Sequence, residues 1–272
     1  MIVVTGATGH IGRELVRILA EGGEQVTAVS RRPADVPDGV RHQPGDLAEP
    51  ESLRPAFEGA DALSLLVAGE DPQGVLEQAE AAGIRRVVLL SSQGVATRPE
   101  AFQHPARFEA AVRRTGLEWT ILRSGGLNSN VYAWAESIRT RRTVAAPFGD
   151  IGLPTVDPAD VAEVAAAVLR EPGRHAGKTY ELNGPAPVTP RGRVEAIAAA
   201  LGEPVRFVEQ TREEARAKML TFMSEPAVEG TLAILGDPLP AERTPTSGVE
   251  RILGRPARSF ADWAARAAPA FR

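Results

Sequence analysis

The sequence predicts an α/β fold of the doubly wound kind: a parallel sheet with helices on both faces and a smaller, mostly helical C-terminal lobe. Three observations carry that reading. Strand-like and helix-like segments alternate through the first half of the 272 residues. Two of the strand segments, in Asp61–Val67 and Arg86–Ser91, are continuous apolar runs (LSLLV, VVLLS), as strands buried on both faces require. After Arg123 the alternation breaks and short helical segments divided by glycine and proline take over.

In chain order, Ile2–Thr5 is the first strand. His10–Glu21 follows with Ile11, Leu15, Ile18 and Leu19 on one helical face. Gln25–Ser30 reads as the second strand and Gly39–Gln43 as a third, more polar one. Asp61–Val67 is the fourth strand, Asp71–Gly83 a helix and Arg86–Ser91 the fifth strand. Pro99–Thr115 reads as one helix stopped by Gly116, and Glu118–Arg123 as the sixth strand. Helices of this length between strands imply right-handed crossovers. Beyond them, Val131–Thr140 is helical, and Pro158–Leu169 is a helix with Asp157 at its cap and Pro158 in its first turn. Lys178–Leu182 is a strand; Arg191–Leu201, Arg212–Phe222, Ala227–Leu235, Gly248–Leu253 and Ser259–Ala268 are short helices. The natural division falls at residue 150, with 1–150 as the sheet domain and 151–272 as the lobe, which returns some elements to the sheet edge.

Composition narrows the classes of function. Hydrophobic residues make up 43% and charged residues 24%, as in an ordinary globular protein. The net charge of −4, with no basic run longer than two, gives no footing for nucleic acid. Cysteine is absent, which removes disulfides, thiolate metal sites and a cysteine nucleophile. No apolar stretch approaches the roughly 20 residues of a membrane span. A cytoplasmic protein working on a small molecule, as monomer or homodimer, is the expectation.

The most informative motif is Thr5-Gly6-Ala7-Thr8-Gly9-His10-Ile11-Gly12, between the first strand and the first helix. Glycines serve there for a tight turn, for close backbone approach to a pyrophosphate, and for close helix–strand packing. The helix N-terminus offers free N–H groups and a partial positive charge to phosphate. The run Gly6–Gly12 therefore reads as the phosphate loop of a Rossmann dinucleotide site. An NAD-selective site places an acid at the end of the second strand for the ribose 2′-hydroxyl. Here that strand ends Ser30-Arg31-Arg32, and two guanidinium groups suit a 2′-phosphate instead. The expected cofactor is NADP(H). Asp46, after the third strand, stands either at the adenine or as a helix cap; Leu47 beside it, and Leu66 and Val67 at the end of the fourth strand, read as cofactor contacts on the same edge.

TGATGHIG, SRRP after the second strand, GDL after the third and LEWTILRSGGLNSN after the sixth resemble the NmrA-like group of atypical short-chain dehydrogenases/reductases. TVDPADVAEVAAAVL, KTYELNGP and ILGRPARSFADW fit that group in order, so the resemblance covers essentially the whole chain. It implies a nucleotide-binding fold more firmly than a reaction, because the group holds reductases as well as proteins that only sense NADP(H). The Tyr-x-x-x-Lys dyad of ordinary short-chain dehydrogenases is absent: Tyr132 and Tyr180 are followed four residues on by Glu136 and Gly184, and the two lysines are Lys178 and Lys218. Members that do chemistry often keep a lysine near the start of the helix before the sixth strand, a place that falls here at His104-Pro105, with Glu109 at a favoured acidic position. His104 is thus the candidate proton donor, since histidine titrates near neutrality; capping or packing that helix is its alternative. Arg107 is placed toward the ribose or nicotinamide side, or in solvent.

Ser91, Ser92 and Gln93 end the fifth strand, where ligands of open α/β sheets bind. The two serines read as cofactor contacts, with strand-end capping the alternative for Ser92, and Gln93 as a substrate contact. Ser124 and Gly125 open a loop that should wrap the nicotinamide amide through its backbone. Asn128, Tyr132 and Trp134, with Asn130, follow as substrate contacts, whereas Trp119 reads as core. His10, His42, His104 and His175 show no metal spacing, and no G-x-S-x-G is present. The leading expectation is an NADPH-dependent reductase of a small carbonyl, enone or quinone. A non-catalytic NADP(H) sensor, or a redox-neutral epimerase or dehydratase, is the alternative.

Overall fold

A computed structural model describes all of residues 1–272. Seven parallel strands form the main sheet in the order β3-β2-β1-β4-β5-β6-β8. They are β1 (Ile2–Thr5), β2 (Val26–Ser30), β3 (Arg41–Pro44), β4 (Ala62–Leu66), β5 (Arg86–Ser92), β6 (Glu118–Ser124) and β8 (Lys178–Leu182). A separate parallel pair joins β7 (Thr143–Pro147) to β9 (Arg206–Gln210), with Thr143 opposite Arg206. The helices are α1 (His10–Glu21), α2 (Arg54–Phe57), α3 (Pro72–Ala81), α4 (Gly94–Thr97), α5 (Gln103–Arg114), α6 (Ala135–Arg141) and α7 (Pro158–Arg170), followed by α8 (Pro190–Leu201), α9 (Arg212–Met219), α10 (Glu225–Gly236), α11 (Pro240–Arg243), α12 (Gly248–Leu253) and α13 (Phe260–Ala267).

Alternation along the strands builds two cores, one on each face of the sheet. Ile2 and Val4 of β1 pack with Leu15, Val16 and Leu19 of α1 and Val161, Val164 and Val168 of α7. Val3, pointing the other way, packs with Leu53, Val75 and Leu76 near α3 and with Phe108 and Val112 of α5. A third core, of Val131, Ile138, Val144, Ile197, Phe260 and Trp263 among others, belongs to the lobe. Strand order reverses between β1 and β4, and such a switch point opens a crevice beyond the carboxyl ends of the strands.

Spatially the chain does not divide at residue 150. β7 lies before that point yet pairs with β9 in the lobe, while α7 and β8 lie after it and complete the Rossmann layer. α12 then returns to pack on α7 and β8, before α13 closes on α8 in the lobe. Arg255 and Arg258 clamp this return: Arg255 meets Asp160 at 2.7 Å and Arg258 meets Glu163 at 2.6 Å, both acids on α7. Neither β7 nor β9 was expected. The first is TVAAP, small and proline-ended, and the second, RFVEQ, is charged at both ends of its core. The helix expected over 99–115 is α5, which starts only at Gln103: the residues before it form a turn after α4, in which Ala101 and Phe102 donate N–H groups to the Arg98 carbonyl. The segment 128–134 is a 3₁₀ stretch that leads into α6, so helix starts there earlier and tighter than the periodicity implies.

Candidate active site

The loop from β1 to α1 is built for close approach. Gly6 adopts φ +64°, and a Cβ there would stand 2.6 Å from the Leu66 side chain. A Cβ on Gly12 would fall 2.2 Å from the Gly6 carbonyl oxygen, so helix and strand pack through a position only glycine fills. Gly9, the N-cap of α1, has ordinary extended geometry, carries no capping side chain, and precedes a first turn without acids. The free N–H groups of that turn are therefore open to an anion. Thr8, Gly9 and His10 are exposed around it, while Ala7 and Gly12 are buried and Ile11 half-buried. Thr5 closes the floor of the crevice: its hydroxyl donates to the Ser64 carbonyl at 2.9 Å and accepts the Leu66 N–H at 2.8 Å.

At the end of β2, Ser30 donates its hydroxyl to the Arg32 carbonyl at 2.7 Å, and Ser30 Oγ in turn accepts from His42 Nε2 at 2.8 Å. This bond shapes the turn that carries Arg31 and Arg32, both exposed and joined to no carboxylate. Asp46 Oδ1 accepts the Ala48 N–H at 3.0 Å, a turn cap, so one carboxylate oxygen is engaged by its own loop. Leu47 is buried with its carbonyl against Gly69; Leu66 is exposed over Gly6 and Val67 half-buried.

The strand ends carry more internal bonding than the sequence suggests. Ser91 donates its hydroxyl to Glu109 Oε1 at 2.7 Å, which leaves it no hydrogen for a cofactor. Glu109 is fully buried and also receives Arg123 through two bonds of 2.8 and 2.7 Å and Arg113 at 2.8 Å. Burial pushes its carboxyl up, but Arg123, Ser91 and Arg113 outweigh burial and hold it below the usual carboxylate range. Ser92 accepts the Gly94 N–H at 3.2 Å, a strand-end cap. Gln93 is 6% exposed and gives its amide to the Ala241 carbonyl at 3.1 Å, so it binds the lobe to β5 instead of facing a substrate. Arg98 extends that joint, reaching Glu242 at 2.8 Å and the Asp237 carbonyl at 2.8 Å.

His104 stands in the first turn of α5, part-exposed, with Nε2 donating to the Gly69 carbonyl at 2.7 Å and its ring edge-on to Phe108. Arg107 is taken up by Glu70, at 3.0 Å. After β6, the Gly125 N–H goes to the Leu182 carbonyl at 3.0 Å, and Ser124 Oγ lies 3.4 Å from the Ser91 carbonyl, which accepts its proton. Asn128, 1% exposed, has neither amide atom hydrogen-bonded, and Ser129 Oγ, Thr155 Oγ1 and Asn183 Oδ1 share that state nearby along the carboxyl ends of β6 and β8. Asn130 is exposed and Trp134 half-buried.

A pocket of about 330 Å³ opens beside the phosphate loop. His10 and Tyr132 line it; His104, Gln93, Asn128 and Trp134 do not. Arg13, Ser129, Asp157, Trp263 and Arg266 complete the polar and aromatic part of its wall. Sequence spacing could not bring these together, because Trp263 and Arg266 arrive on α13 more than a hundred residues after Tyr132. Burial pushes the Asp157 carboxyl up, against the Ala159 N–H and Arg266, which both favour its charge. No group of His, Asp or Glu residues is arranged to hold a metal ion, and no helix is long and apolar enough to cross a membrane.

Residues 6–172 match a family model described as NAD(P)H-binding. The chain is 36% identical to a (4-alkanoyl-5-oxo-2,5-dihydrofuran-3-yl)methyl phosphate reductase of Streptomyces griseus, over 100% of this chain and 99% of the relative. It is 31% identical to an NAD(P)H azoreductase of Xenophilus azovorans, again over 100% and 99%. Among solved structures, an NADPH-dependent quinone oxidoreductase of Escherichia coli, complexed with NADPH, superposes with a TM-score of 0.78 at 23% identity, over 98% of this chain and 99% of that one. Nmra, a negative transcriptional regulator in complex with NAD, does so at 0.75 and 20%, over 98% and 95%. These last two share the fold.

Proposed function

The chain belongs to the NAD(P)H-binding family, with the fold of its NmrA-like members, and we propose that it is an NADPH-dependent reductase of a small carbonyl, enone or quinone substrate. The observation that carries this reading is the uncapped, acid-free N-terminus of α1 behind Gly6–Gly12, with Arg31 and Arg32 unpaired at the end of β2. The first turn of α1 would hold the pyrophosphate through its backbone N–H groups, and Arg31 and Arg32 the 2′-phosphate. A nicotinamide held there would supply the hydride.

What remains for the protein is to orient the substrate, exclude water and deliver a proton. Gln93 and Arg98 tie the lobe to the segment after β5, and in this reading the lobe limits water at the carboxyl edge. His104 is our candidate donor. Because Nε2–H is held by the Gly69 carbonyl, a transferable proton has to sit on Nδ1, which makes the imidazolium the active form. We place its work in the cytoplasm, on a small molecule, as monomer or homodimer.

One observation favours a second reading. Neither Tyr132 nor Tyr180 has a lysine four residues on, so a protein that binds NADP(H) and reports its redox state is the competing function. Purified protein mixed with NADPH and a panel of quinones, enones and ketones separates the two. Loss of the NADPH absorbance with formation of reduced product supports the reductase. Tight binding of NADPH and NADP⁺ without turnover across the panel replaces it with the sensor.

A further inference from the structure

The pocket beside the phosphate loop has a consistent chemical bias. Three rings line it: His10 and Tyr132 lie 5.1 Å apart between centroids, and Tyr132 and Trp263 5.3 Å apart. Its carboxylates are already committed. Asp157 accepts the Ala159 N–H at 2.9 Å and pairs with Arg266, and Glu14 pairs with Arg17 at 2.9 Å outside the pocket. The groups left over are donors. Arg13 meets no carboxylate and touches only the Thr8 carbonyl, at 3.3 Å. Ser129, 4% exposed, has a hydroxyl with no hydrogen-bond partner. The Tyr132 hydroxyl and the His10 ring nitrogens make no hydrogen bond either, and burial pushes the Tyr132 phenol up, so it stays protonated.

We propose that this pocket receives the non-reacting part of the substrate, and that the part it selects is a planar ring bearing an acidic oxygen group: a carboxylate, sulfonate or phosphate. Aromatic walls favour a flat ring through offset and edge contacts. Unpaired donors favour acceptor oxygens, and Arg13 favours those that carry charge. A volume of about 330 Å³ holds a ring system of modest size. His10 belongs both to the phosphate loop and to this wall, so a ligand seated here would reach the cofactor groove with its other end. The inference rests on the reductase reading and narrows its substrate class.

Two probes of one shape test it: 2-naphthalenesulfonate and 2-naphthalenemethanol, titrated by calorimetry into the full chain saturated with NADP⁺. The sulfonate should bind at least about tenfold tighter than the alcohol, as one charge-assisted contact implies. Arg13→Ala should remove most of that difference while leaving the alcohol unchanged, and Ser129→Ala should weaken the sulfonate a few-fold. Circular dichroism and NADP⁺ affinity of each variant establish that it is folded. Equal affinity for the two probes, or sulfonate binding untouched by Arg13→Ala, overturns the proposal. So does displacement of the sulfonate by NADP⁺, which would make the pocket part of the cofactor's own phosphate cradle. Turnover is read separately. Sulfonate binding as described with no NADPH oxidation on any substrate overturns the reductase reading and leaves the pocket standing. Reduction of neutral quinones that the sulfonate neither inhibits nor accompanies in binding overturns the pocket alone.

Discussion

His104 Nε2 donates to the Gly69 carbonyl at 2.7 Å, and Gly69 lies three residues beyond Leu66, whose side chain rests on Gly6 of the phosphate loop. The histidine is thereby tied to the same edge as the cofactor loop, with its other ring nitrogen free. His104→Gln should lower turnover by about 10²-fold or more, the range of a positioned general acid, with NADPH affinity nearly unchanged. Steady-state kinetics with a substrate found by screening, alongside NADPH titration, measure both. A rate within a few-fold of the unaltered protein, with a lower melting temperature, would reduce His104 to a strut between α5 and the loop after β4.

Arg31 and Arg32 form the only cationic pair on the turn that Ser30 and His42 hold in shape. Replacing both by alanine should weaken NADPH far more than NADH, shifting the preference by at least about tenfold. Calorimetry with both nucleotides on both proteins gives the number. Equal affinities in the unaltered protein would refute the assignment of the 2′-phosphate.

Two glycines of the loop should fail in different ways. A Cβ at Gly9 would lie 3.3 Å from the Gly6 carbonyl, a contact that small shifts relieve, so Gly9→Val should fold and lose the nucleotide. At Gly12 the same atom would fall 2.2 Å from that oxygen and 2.9 Å from Ala7 Cα, both backbone, so even Gly12→Ala should cost stability. Thermal unfolding and nucleotide titration of the two variants distinguish the outcomes, and nucleotide affinity retained in folded Gly9→Val would show that the phosphate binds elsewhere.

Glu109 should govern the acid limb of stability. Its carboxyl is held below the usual range in the folded protein, so its contribution is complete above the unfolded value of about 4.3 and is lost as pH falls through the folded one. Glu109→Gln leaves Arg123 without its bidentate partner, and should destabilise by about 3 kcal/mol at neutral pH. Denaturant midpoints measured downward from pH 7 should converge for the two proteins in acid. Parallel curves would contradict this account.

Most of the sheet layer was readable from the chain, because apolar runs such as VVLLS and the periodic face of His10–Glu21 depend on local pattern alone. The phosphate loop was readable for a similar reason: its glycines act within seven residues of one another. Ser91 and Gln93 show what local pattern does not contain. Their positions at the strand end were right, yet Glu109 and Ala241, 18 and 148 residues away, take their hydrogen bonds. β7 and β9 stabilise each other across more than fifty residues, with neither apolar enough to announce itself. The pocket wall is assembled in the same way, from α1, the 128–134 turn, α7 and α13.

The repeated passage of the chain between sheet and lobe has a consequence for how the protein loses its structure. A fragment ending at residue 150 would lack α7, which packs on α1 and on β4, β5 and β6, and β8, the partner of β6. It would expose an apolar face and a bare strand edge, both open to self-association. Heating the intact chain should therefore melt nucleotide layer and lobe together, in one calorimetric peak. A nucleotide bound at the α1 end would raise that single temperature for both, including segments that never touch it.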